Sequence, residues 1–307
     1  MKRIHLAAWG AITAISLAAA VPVRAADQST RARHSTDYTT TTGTQSDKTL
    51  GSLERANRLI GREVLSSDNQ KLGKVDNLVV DLESARILYA IVGVGGVAGV
   101  GEKKFAVPPG AFAEIRGNAV YFNGDKQKLN GAPQFTKNIE KETELSKADF
   151  VNQSYQYFGQ NPWWQGSSGP ASAGEFHNVH KASDVIGMKV KNVSDQDMGK
   201  VDNLIVDLSA GRLVYITLAP DASLGLGNNL YALPPMFTLS SDKKSLTADI
   251  NKEKLSGAPH FISDSWPNLS DRAWASQVYQ YYGKQAYFDS SKRLQPTGRT
   301  DQFQPQK

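Results

Sequence analysis

The chain contains no cysteine among its 307 residues. A disulfide framework, a catalytic thiolate and a lipid anchor attached through cysteine are therefore excluded. The net charge is also small. It is +5 for the whole chain and falls to +2 without residues 1–25, which contain Lys2, Arg3 and Arg24. Nucleic-acid-binding domains carry a clustered basic patch. The sequence contains no such cluster, so no nucleic-acid partner is expected.

Only one long apolar run is present, from Ile4 to Val21. It follows the short positive segment Met1-Lys2-Arg3 and precedes Val23-Arg24-Ala25, which is the layout of a secretory signal peptide. We therefore predict a signal peptide at 1–25, cleavage after Ala25, and a periplasmic or secreted protein. An uncleaved anchor is the alternative, because the run nearly reaches the roughly 20 residues that span a bilayer. Membrane attachment is expected only in that case.

Chemistry-bearing patterns are few. His177-x-x-His180 has the spacing of a metal pair if it is helical, but no cysteine supports it and a solvated linker is the favoured interpretation. The glycine-rich stretch Gly93–Gly101 lacks the Lys-Ser/Thr ending of a phosphate-binding loop, which favours a plain loop between strands. The sequence shows no Ser-His-Asp or metalloprotease pattern. We therefore expect a non-enzymatic protein with no catalytic residues, no metal site and no cofactor.

The sequence does contain an internal repeat. The decapeptide Gly73-Lys74-Val75-Asp76-Asn77-Leu78-Val79-Val80-Asp81-Leu82 returns at Gly199–Leu208 with a single Val-to-Ile change. We call these two segments the signature strands. Residues 57–135 and 183–261 align without a gap and share 27 of 79 positions. Such a match predicts the same fold twice.

In each copy, the turn and cap residues divide the chain into short segments that are typical of β-strands. Asn57 or Ser183 is expected to cap one helical turn that ends at an Ile-Gly pair. Tight turns are expected at Ser67–Gln70 and Glu83–Ala85. The expected strands are Glu63–Ser66, the signature strand, Ile87–Val92, Phe105–Val107 and a last strand through Val120 and Phe122. Five or six short strands in about 80 residues predict a small β-barrel.

The acidic residues of the signature strands invite a hypothesis of paired carboxylates, for acid–base work or for metal binding. Asp76 and Asp81, like Asp202 and Asp207, are five residues apart, so on a strand they face opposite sides unless a bulge intervenes. Strand-end and turn acids that bond nearby backbone groups are the favoured interpretation.

A second repeat follows each barrel and is rich in aromatic residues. Phe150–Gly159 corresponds to Trp274–Gly283, and the apolar positions have helical spacing. These helices are expected to pack on their own or the sister barrel, in a pseudo-two-fold pair within one chain. Exposed aromatic side chains are favoured at protein contacts. The candidate partner-binding residues are Tyr155, Tyr157, Trp163, Trp164, Tyr281 and Tyr287.

Together the motifs resemble the PRC-barrel family. The resemblance rests on the Ile-Gly opening, the Gly-Lys-Val-Asp-Asn-Leu strand, the Arg-x-x-Tyr start of the next strand, the double proline and the Leu-x-Gly-Ala-Pro-x-Phe close. It covers about half of the chain. The family supplies the cytoplasmic domain of the photosynthetic reaction-centre H subunit and the C-terminal domain of the ribosome maturation factor. The resemblance implies six-stranded barrels used for protein contacts, and no catalytic residue.

We therefore predict a mainly β protein with two tandem PRC-type barrels, each followed by a short aromatic helix. Its expected function is that of an adaptor or scaffold that binds a protein of the cell envelope. The alternative is a small-molecule or ion site in the cleft between the barrels, with a link to photosynthetic electron transport by family analogy alone. The predicted segments are signal peptide 1–25, disordered leader 26–54, barrel 55–137, helical appendix 138–160, linker 161–180, barrel 181–263, helical appendix 264–288 and disordered tail 289–307.

Overall fold

The computed structural model describes residues 49–96, 101–135, 145–166, 176 and 178–288. The predicted signal peptide, most of the predicted leader, the predicted tail and His177 lie outside the described residues. The described part is mainly β, with few and short helices, and it comprises two PRC-type repeats. The predicted fold class is therefore confirmed.

The first repeat has seven strands and three helices. The strands are β1 (Leu53–Arg55), β2 (Glu63–Leu65), β3 (Lys71–Asp81), β4 (Arg86–Val94), β5 (Lys103–Val107), β6 (Phe112–Arg116) and β7 (Ala119–Phe122). The helices are α1 (Ala56–Leu59), α2 (Lys126–Asn130) and α3 (Ala148–Tyr157), with 3₁₀ turns at Pro109–Ala111 and Trp163–Gly166.

The second repeat follows the same plan. Its helices are α4 (Ala182–Val185), α5 (Lys252–Ser256) and α6 (Arg272–Tyr281), with a 3₁₀ turn at Ala222–Leu224. Its strands are β8 (Val179–Lys181), β9 (Lys189–Asn192), β10 (Asp197–Asp207), β11 (Arg212–Pro220), β12 (Asn229–Leu233), β13 (Phe237–Leu239), β14 (Ser245–Ala248) and β15 (His260–Ile262).

Six strands in each repeat follow one hydrogen-bonded path. The order is β6-β7-β2-β3-β4-β5 in the first repeat and β13-β14-β9-β10-β11-β12 in the second. All of these neighbours are antiparallel except β2 with β7 and β9 with β14. The predicted turns form where expected, with Asn69 and Asp195 in the left-handed region at φ of +64° and +63°. Asparagine and aspartate tolerate that region better than most residues.

The repeats exchange their first strands. β1 pairs with β10 of the second repeat, and β8 pairs with β3 of the first. Thr49 also bridges to Asp271. The predicted leader therefore ends too late, because Thr49, Leu53 and Glu54 pair with the opposite repeat. The predicted linker also ends too late, because Val179 and His180 pair with the first repeat. Arg62 holds β1 in place through an ion pair with Glu54 at 2.5 Å, between two largely buried side chains.

Each signature strand bends at two β-bulges. The register of β3 against β4 shifts between Val75 and Asn77 and again between Val79 and Val80, and β10 shifts at the equivalent positions. Bulges increase the twist of a strand and change its direction. The first part of β3 consequently pairs with β2 of its own repeat, whereas its last three residues pair with β8.

The hydrophobic core is shared. One cluster draws buried side chains from both repeats, including Val75, Leu78, Val201 and Leu204. Two further clusters lie under α3 and α6, and the second of these also contains Leu50 and Leu53, from the start of the first repeat. Burial of apolar surface is worth roughly 25 cal/mol per Å². Because the central cluster belongs to both repeats, neither can be removed without exposing the core of the other.

Candidate functional site

The signature strands join the two repeats through their asparagines. The Asn77 side-chain oxygen accepts from the backbone N–H of Ser183 at 3.3 Å, and its Nδ2 donates to the Ser183 hydroxyl at 2.8 Å. In the reciprocal contact, the Asn203 oxygen accepts from the backbone N–H of Asn57 at 3.3 Å. Each asparagine thus supplies the hydrogen bond that an N-cap side chain gives to the first turn of a helix, but for the helix of the opposite repeat.

The predicted caps are accordingly wrong. Arg55 and Lys181 occupy the N-cap positions of α1 and α4, and neither makes a side-chain cap bond. Asn57 and Ser183 lie inside the helices, and their backbone N–H groups donate the bond to the asparagine oxygens. Asn77 and Asn203 are buried, and their oxygens also accept from the next backbone N–H, of Leu78 and Leu204. The two signature strands are therefore nearly identical in sequence partly because both supply an asparagine that contacts the opposite repeat.

The first residue of each signature strand, Gly73 or Gly199, has no room for a side chain. A Cβ at Gly73 would overlap the carbonyl oxygen of Gly93, and one at Gly199 would overlap that of Ala219. The neighbouring strand backbone approaches too closely for any side chain at these positions.

The four aspartates do not form an acidic site. Asp81 accepts from the Glu83 N–H at 3.1 Å and from the Ser84 hydroxyl, and Asp207 accepts from the Ala210 N–H at 3.0 Å. These are turn acids, as the favoured interpretation held. Burial raises the pKa of Asp81, against the effect of its hydrogen bonds.

The other two acids bind side chains instead of backbone groups. Asp76 forms an ion pair with Lys104 at 3.0 Å, and Asp202 accepts from the Thr217 hydroxyl at 2.9 Å. Within the described ranges, no group of three or more histidine or acidic side chains could hold a metal ion. His180 is buried in β8, so the prediction that it belongs to a solvated linker is wrong.

The described ends of the glycine-rich stretch lie between β4 and β5. Gly95, Gly96 and Gly101 have positive φ angles of +75°, +79° and +77°. Residues 97–100 lie outside the described residues. The second repeat places a 3₁₀ turn, Ala222–Leu224, in the matching connection.

Two of the candidate partner-binding residues are buried. The Tyr155 hydroxyl donates to the carbonyl of Leu88 at 2.8 Å, and burial raises its pKa. The Trp164 indole donates to the Asn152 side chain at 3.2 Å, and its ring meets Tyr155 with centroids 4.8 Å apart. Tyr155 and Trp164 are 5% and 9% exposed. Neither ring is accessible to a partner in this structure, because both fill the cluster beneath α3.

Two other candidates are exposed and equivalent. Tyr157 ends α3 with 41% exposure, and Tyr281 ends α6 with 38%. The Tyr157 hydroxyl donates to the carbonyl of Lys128 at 2.7 Å, and the Tyr281 hydroxyl donates to that of Lys254 at 2.5 Å. Each ring is therefore held at its tip while one face meets solvent.

The last two candidates stack on arginines at the junction of the repeats. The Arg86 guanidinium lies 5.3 Å from the centre of the Trp163 ring, and that of Arg212 lies 5.0 Å from the centre of the Tyr287 ring. Arg86 and Arg212 are register partners between β4 and β11. Beside them the backbones are joined reciprocally, from Ile87 N–H to Gly211 and from Leu213 N–H to Ala85, each at 3.0 Å. We call this junction the seam.

A cavity of about 170 Å³ opens at the seam. Arg86, Tyr155 and Trp163 line it from the first repeat, and Ser209 and Gly211 from the second. Arg86 and Arg212 are the arginines of the Arg-x-x-Tyr motif in the two copies, but no local pattern in the sequence indicates that they face each other. The only sequence signal was their shared place at the start of the strand after the signature.

The PRC-barrel domain model matches two regions, residues 52–129 and 177–255, which together make up about half of the chain. The chain belongs to the PRC-barrel family. Both matched regions begin close to the exchanged strands β1 and β8, so the match includes the contact between the repeats. No curated protein matches this PRC-barrel chain. Among the described residues, no helix combines the length and the apolar character needed to cross a membrane.

Proposed function

We propose that this tandem PRC-barrel protein is a non-enzymatic adaptor of the cell envelope that binds a protein partner through two equivalent surfaces. The observation that carries the proposal is the doubled presentation of one exposed aromatic residue, Tyr157 in the first repeat and Tyr281 in the second. We call the surroundings of these rings the tyrosine surfaces.

The geometry of each ring suits a protein contact. Tyr157 meets Phe158 edge to face, with centroids 5.1 Å apart and planes at 87°, and Tyr281 meets Tyr282 at 5.0 Å and 82°. The hydroxyl bond fixes the other end of each ring. Ordering a side chain at an interface costs about 0.5–1.5 kcal/mol, and a ring that is already held avoids much of that cost. Aromatic side chains of this kind are frequent among the residues that dominate binding energy.

Doubling the surface adds avidity. When two linked sites bind two copies of one target, the second event is intramolecular and the apparent affinity can rise by about 10² to 10⁴. Because the seam connects the repeats through backbone hydrogen bonds, the spacing of the two tyrosine surfaces is set by the fold. A dimeric or repetitive envelope protein fits this arrangement.

Site-specific photo-crosslinking tests the proposal. A benzophenone amino acid would replace Tyr157 or Tyr281 in intact cells, with Val193 as the control because it is apolar and 69% exposed. We expect the same protein to be captured from both tyrosine positions and not from position 193. Different proteins at the two positions, or equal capture at 193, would contradict the proposal.

Affinity measurements on the captured protein distinguish the contribution of the tyrosine rings to binding from that of their hydroxyl groups. We expect Tyr157→Ala together with Tyr281→Ala to weaken binding at least tenfold, because both rings are lost. Either single alanine variant removes the avidity and has an intermediate effect. Tyr157→Phe with Tyr281→Phe keeps both rings and serves as the matched control, with a small loss. Unchanged binding by the double alanine variant would exclude the tyrosine surfaces.

The envelope location rests on the predicted signal peptide and has its own test. Mass spectrometry of the exported protein should show a mature chain that begins at Ala26. An intact N-terminus in the membrane fraction would support the anchor alternative instead, and a protein found only in the cytoplasm would contradict an envelope function.

A further inference from the structure

The seam brings two cations together. Arg86 and Arg212 lie directly opposite each other in antiparallel strands, an arrangement in which like charges destabilise a sheet. Among the described residues, no carboxylate lies within ion-pair distance of the Arg86 guanidinium. Burial, followed by the charge of Arg212, lowers the pKa of Arg86 to about 10. Folding therefore places a partly buried positive charge where an anion would stabilise it.

The cavity beside Arg86 has the form of a small binding site. Besides Arg86, it is lined by the aromatic residues Trp163 and Tyr155 and by Pro109, Gly110, Gln160 and Asn161. Among the residues that the structure describes, no acidic side chain lines it. The Trp163 indole Nε1 is buried and has no hydrogen-bond acceptor in the described part of the chain. Two donor groups, one of them cationic, thus belong to residues that line a single cavity, and the described part of the chain supplies an acceptor for neither.

We propose that the seam cavity binds a carboxylate carried on a small, flat organic group. A guanidinium matches a carboxylate with two parallel hydrogen bonds, and the aromatic wall suits a planar substituent. At about 170 Å³ the cavity is smaller than the roughly 300–1,000 Å³ of pockets for drug-sized ligands, which restricts the ligand to a small acid or to the end of a larger one. The site is distinct from the tyrosine surfaces, so either proposal can fail without the other.

Calorimetric titration of the whole chain with sodium benzoate tests this inference, with benzamide as the uncharged isostere. We expect saturable benzoate binding and none of benzamide. Arg86→Gln should weaken benzoate binding at least tenfold, and Arg86→Lys should weaken it less because the charge remains while the planar fork is lost. The matched control is Arg116→Gln, because Arg116 also stacks on a ring, that of Tyr121 at 4.6 Å, but lies on the open surface paired with Glu114. It should bind benzoate as the unmodified protein does.

The Arg86→Gln protein is expected to remain folded, because the change removes one of two facing cations; thermal unfolding checks this. The Trp163 indole N–H resonance should shift on adding benzoate and should not shift in the Arg86→Gln variant. Equal benzoate affinity in the Arg86→Gln and unmodified proteins would overturn the inference. So would tighter binding of inorganic phosphate or of benzamide than of benzoate.

The carboxylate has two sources, a free acid or the C-terminus of a polypeptide. A short peptide ending in phenylalanine, compared with its C-terminal amide, distinguishes them. Peptide binding at least tenfold tighter than benzoate, and lost in the amide, assigns the site to a polypeptide end. Benzoate binding without peptide binding assigns it to a free acid.

Discussion

In the first repeat, the turn after the signature strand places Ala85 in the left-handed region at φ +54°, whereas the second repeat has Gly211 at φ +62°. The aromatic stack on the arginine also differs, with Trp163 in one repeat and Tyr287 in the other. By contrast, both repeats have the two bulges, an exchanged first strand and an asparagine oxygen that accepts from a backbone N–H of the opposite repeat. The backbone contacts that join the repeats are therefore alike, whereas the side chains around the seam differ.

This comparison indicates that each repeat completes the other. Asn77 serves α4 and Asn203 serves α1, while β1 and β8 leave their own repeats to pair with the opposite ones. An arrangement of this kind is that of a domain-exchanged dimer within a single chain. Variants that break these contacts should show how far the two halves depend on each other and where they differ.

The largest effect is expected on separating the repeats. A fragment of residues 49–166 lacks the partners of β1 and α1, and it exposes the shared core. We expect it to be unfolded at low concentration and to fold only as a dimer, in which Asn77 of each copy serves the other copy. Sedimentation and circular dichroism over a range of concentrations measure this. Mixing with residues 176–288 should restore the fold, and a stable folded monomer would contradict the dependence.

Sequence reasoning predicted the elements that local patterns determine. The turns at Ser67–Gln70 and Glu83–Ala85 and the barrel strands depend on turn residues and on apolar spacing, which are read directly from the chain. The left-handed Gly159 and Gly283, both at φ +64°, likewise end their helices as glycines commonly do.

The exchanged strands and the caps could not be predicted in this way. Asn57 is 146 residues from the asparagine that serves it, and Ser183 is 106 residues from its own. Asparagine or serine near a short helix resembles a cap locally, and the pattern does not show that the bond comes from elsewhere. For the same reason, the sequence gives no indication of the seam cavity beyond the equivalent positions of Arg86 and Arg212 in the two repeats.

The second prediction removes the asparagine contacts. Loss of a buried cap bond costs about 1–3 kcal/mol, so Asn77→Ala and Asn203→Ala should each lower the free energy of unfolding by that amount. Asn77→Ala should cost more, because Asn77 also donates to the Ser183 hydroxyl. Urea unfolding followed by fluorescence gives both values.

Two variants serve as controls for this comparison. Ser183→Ala removes the hydroxyl but keeps the backbone bond to Asn77, so it should cost less than Asn77→Ala. Asn57→Ala keeps the backbone N–H that donates to Asn203, so little change is expected. If Asn57→Ala and Asn203→Ala lowered the free energy of unfolding equally, the bond accepted by Asn203 would not be what stabilises α1.

The third prediction exchanges the turn residues. In Gly211→Ala a new Cβ would lie 3.1 Å from Pro109 Cγ, in a backbone conformation that disfavours alanine. We expect a loss of about 1–2 kcal/mol. Ala85→Gly should instead raise the free energy of unfolding by up to about 1 kcal/mol, because the left-handed cost is removed. Urea unfolding at one pH measures both variants, and changes of the same sign would contradict the difference between the turns.

The smallest effect concerns the pH dependence of the first turn. Because burial raises the pKa of Asp81 above its ordinary value of 3.8, the folded state holds the proton more tightly than the unfolded state does. The resulting stability is present below pH 3.8 and is lost as the pH rises through the folded-state pKa. Asp81→Asn removes this titration and keeps an oxygen to accept from the Glu83 N–H. The free energy of unfolding of the variant should therefore rise relative to that of the unmodified protein as the pH is raised from 3.8 through the folded-state pKa of Asp81. Asp264→Asn, at an exposed position of the second repeat, is the control, and an unchanged pH slope in Asp81→Asn would contradict the role of burial at this turn.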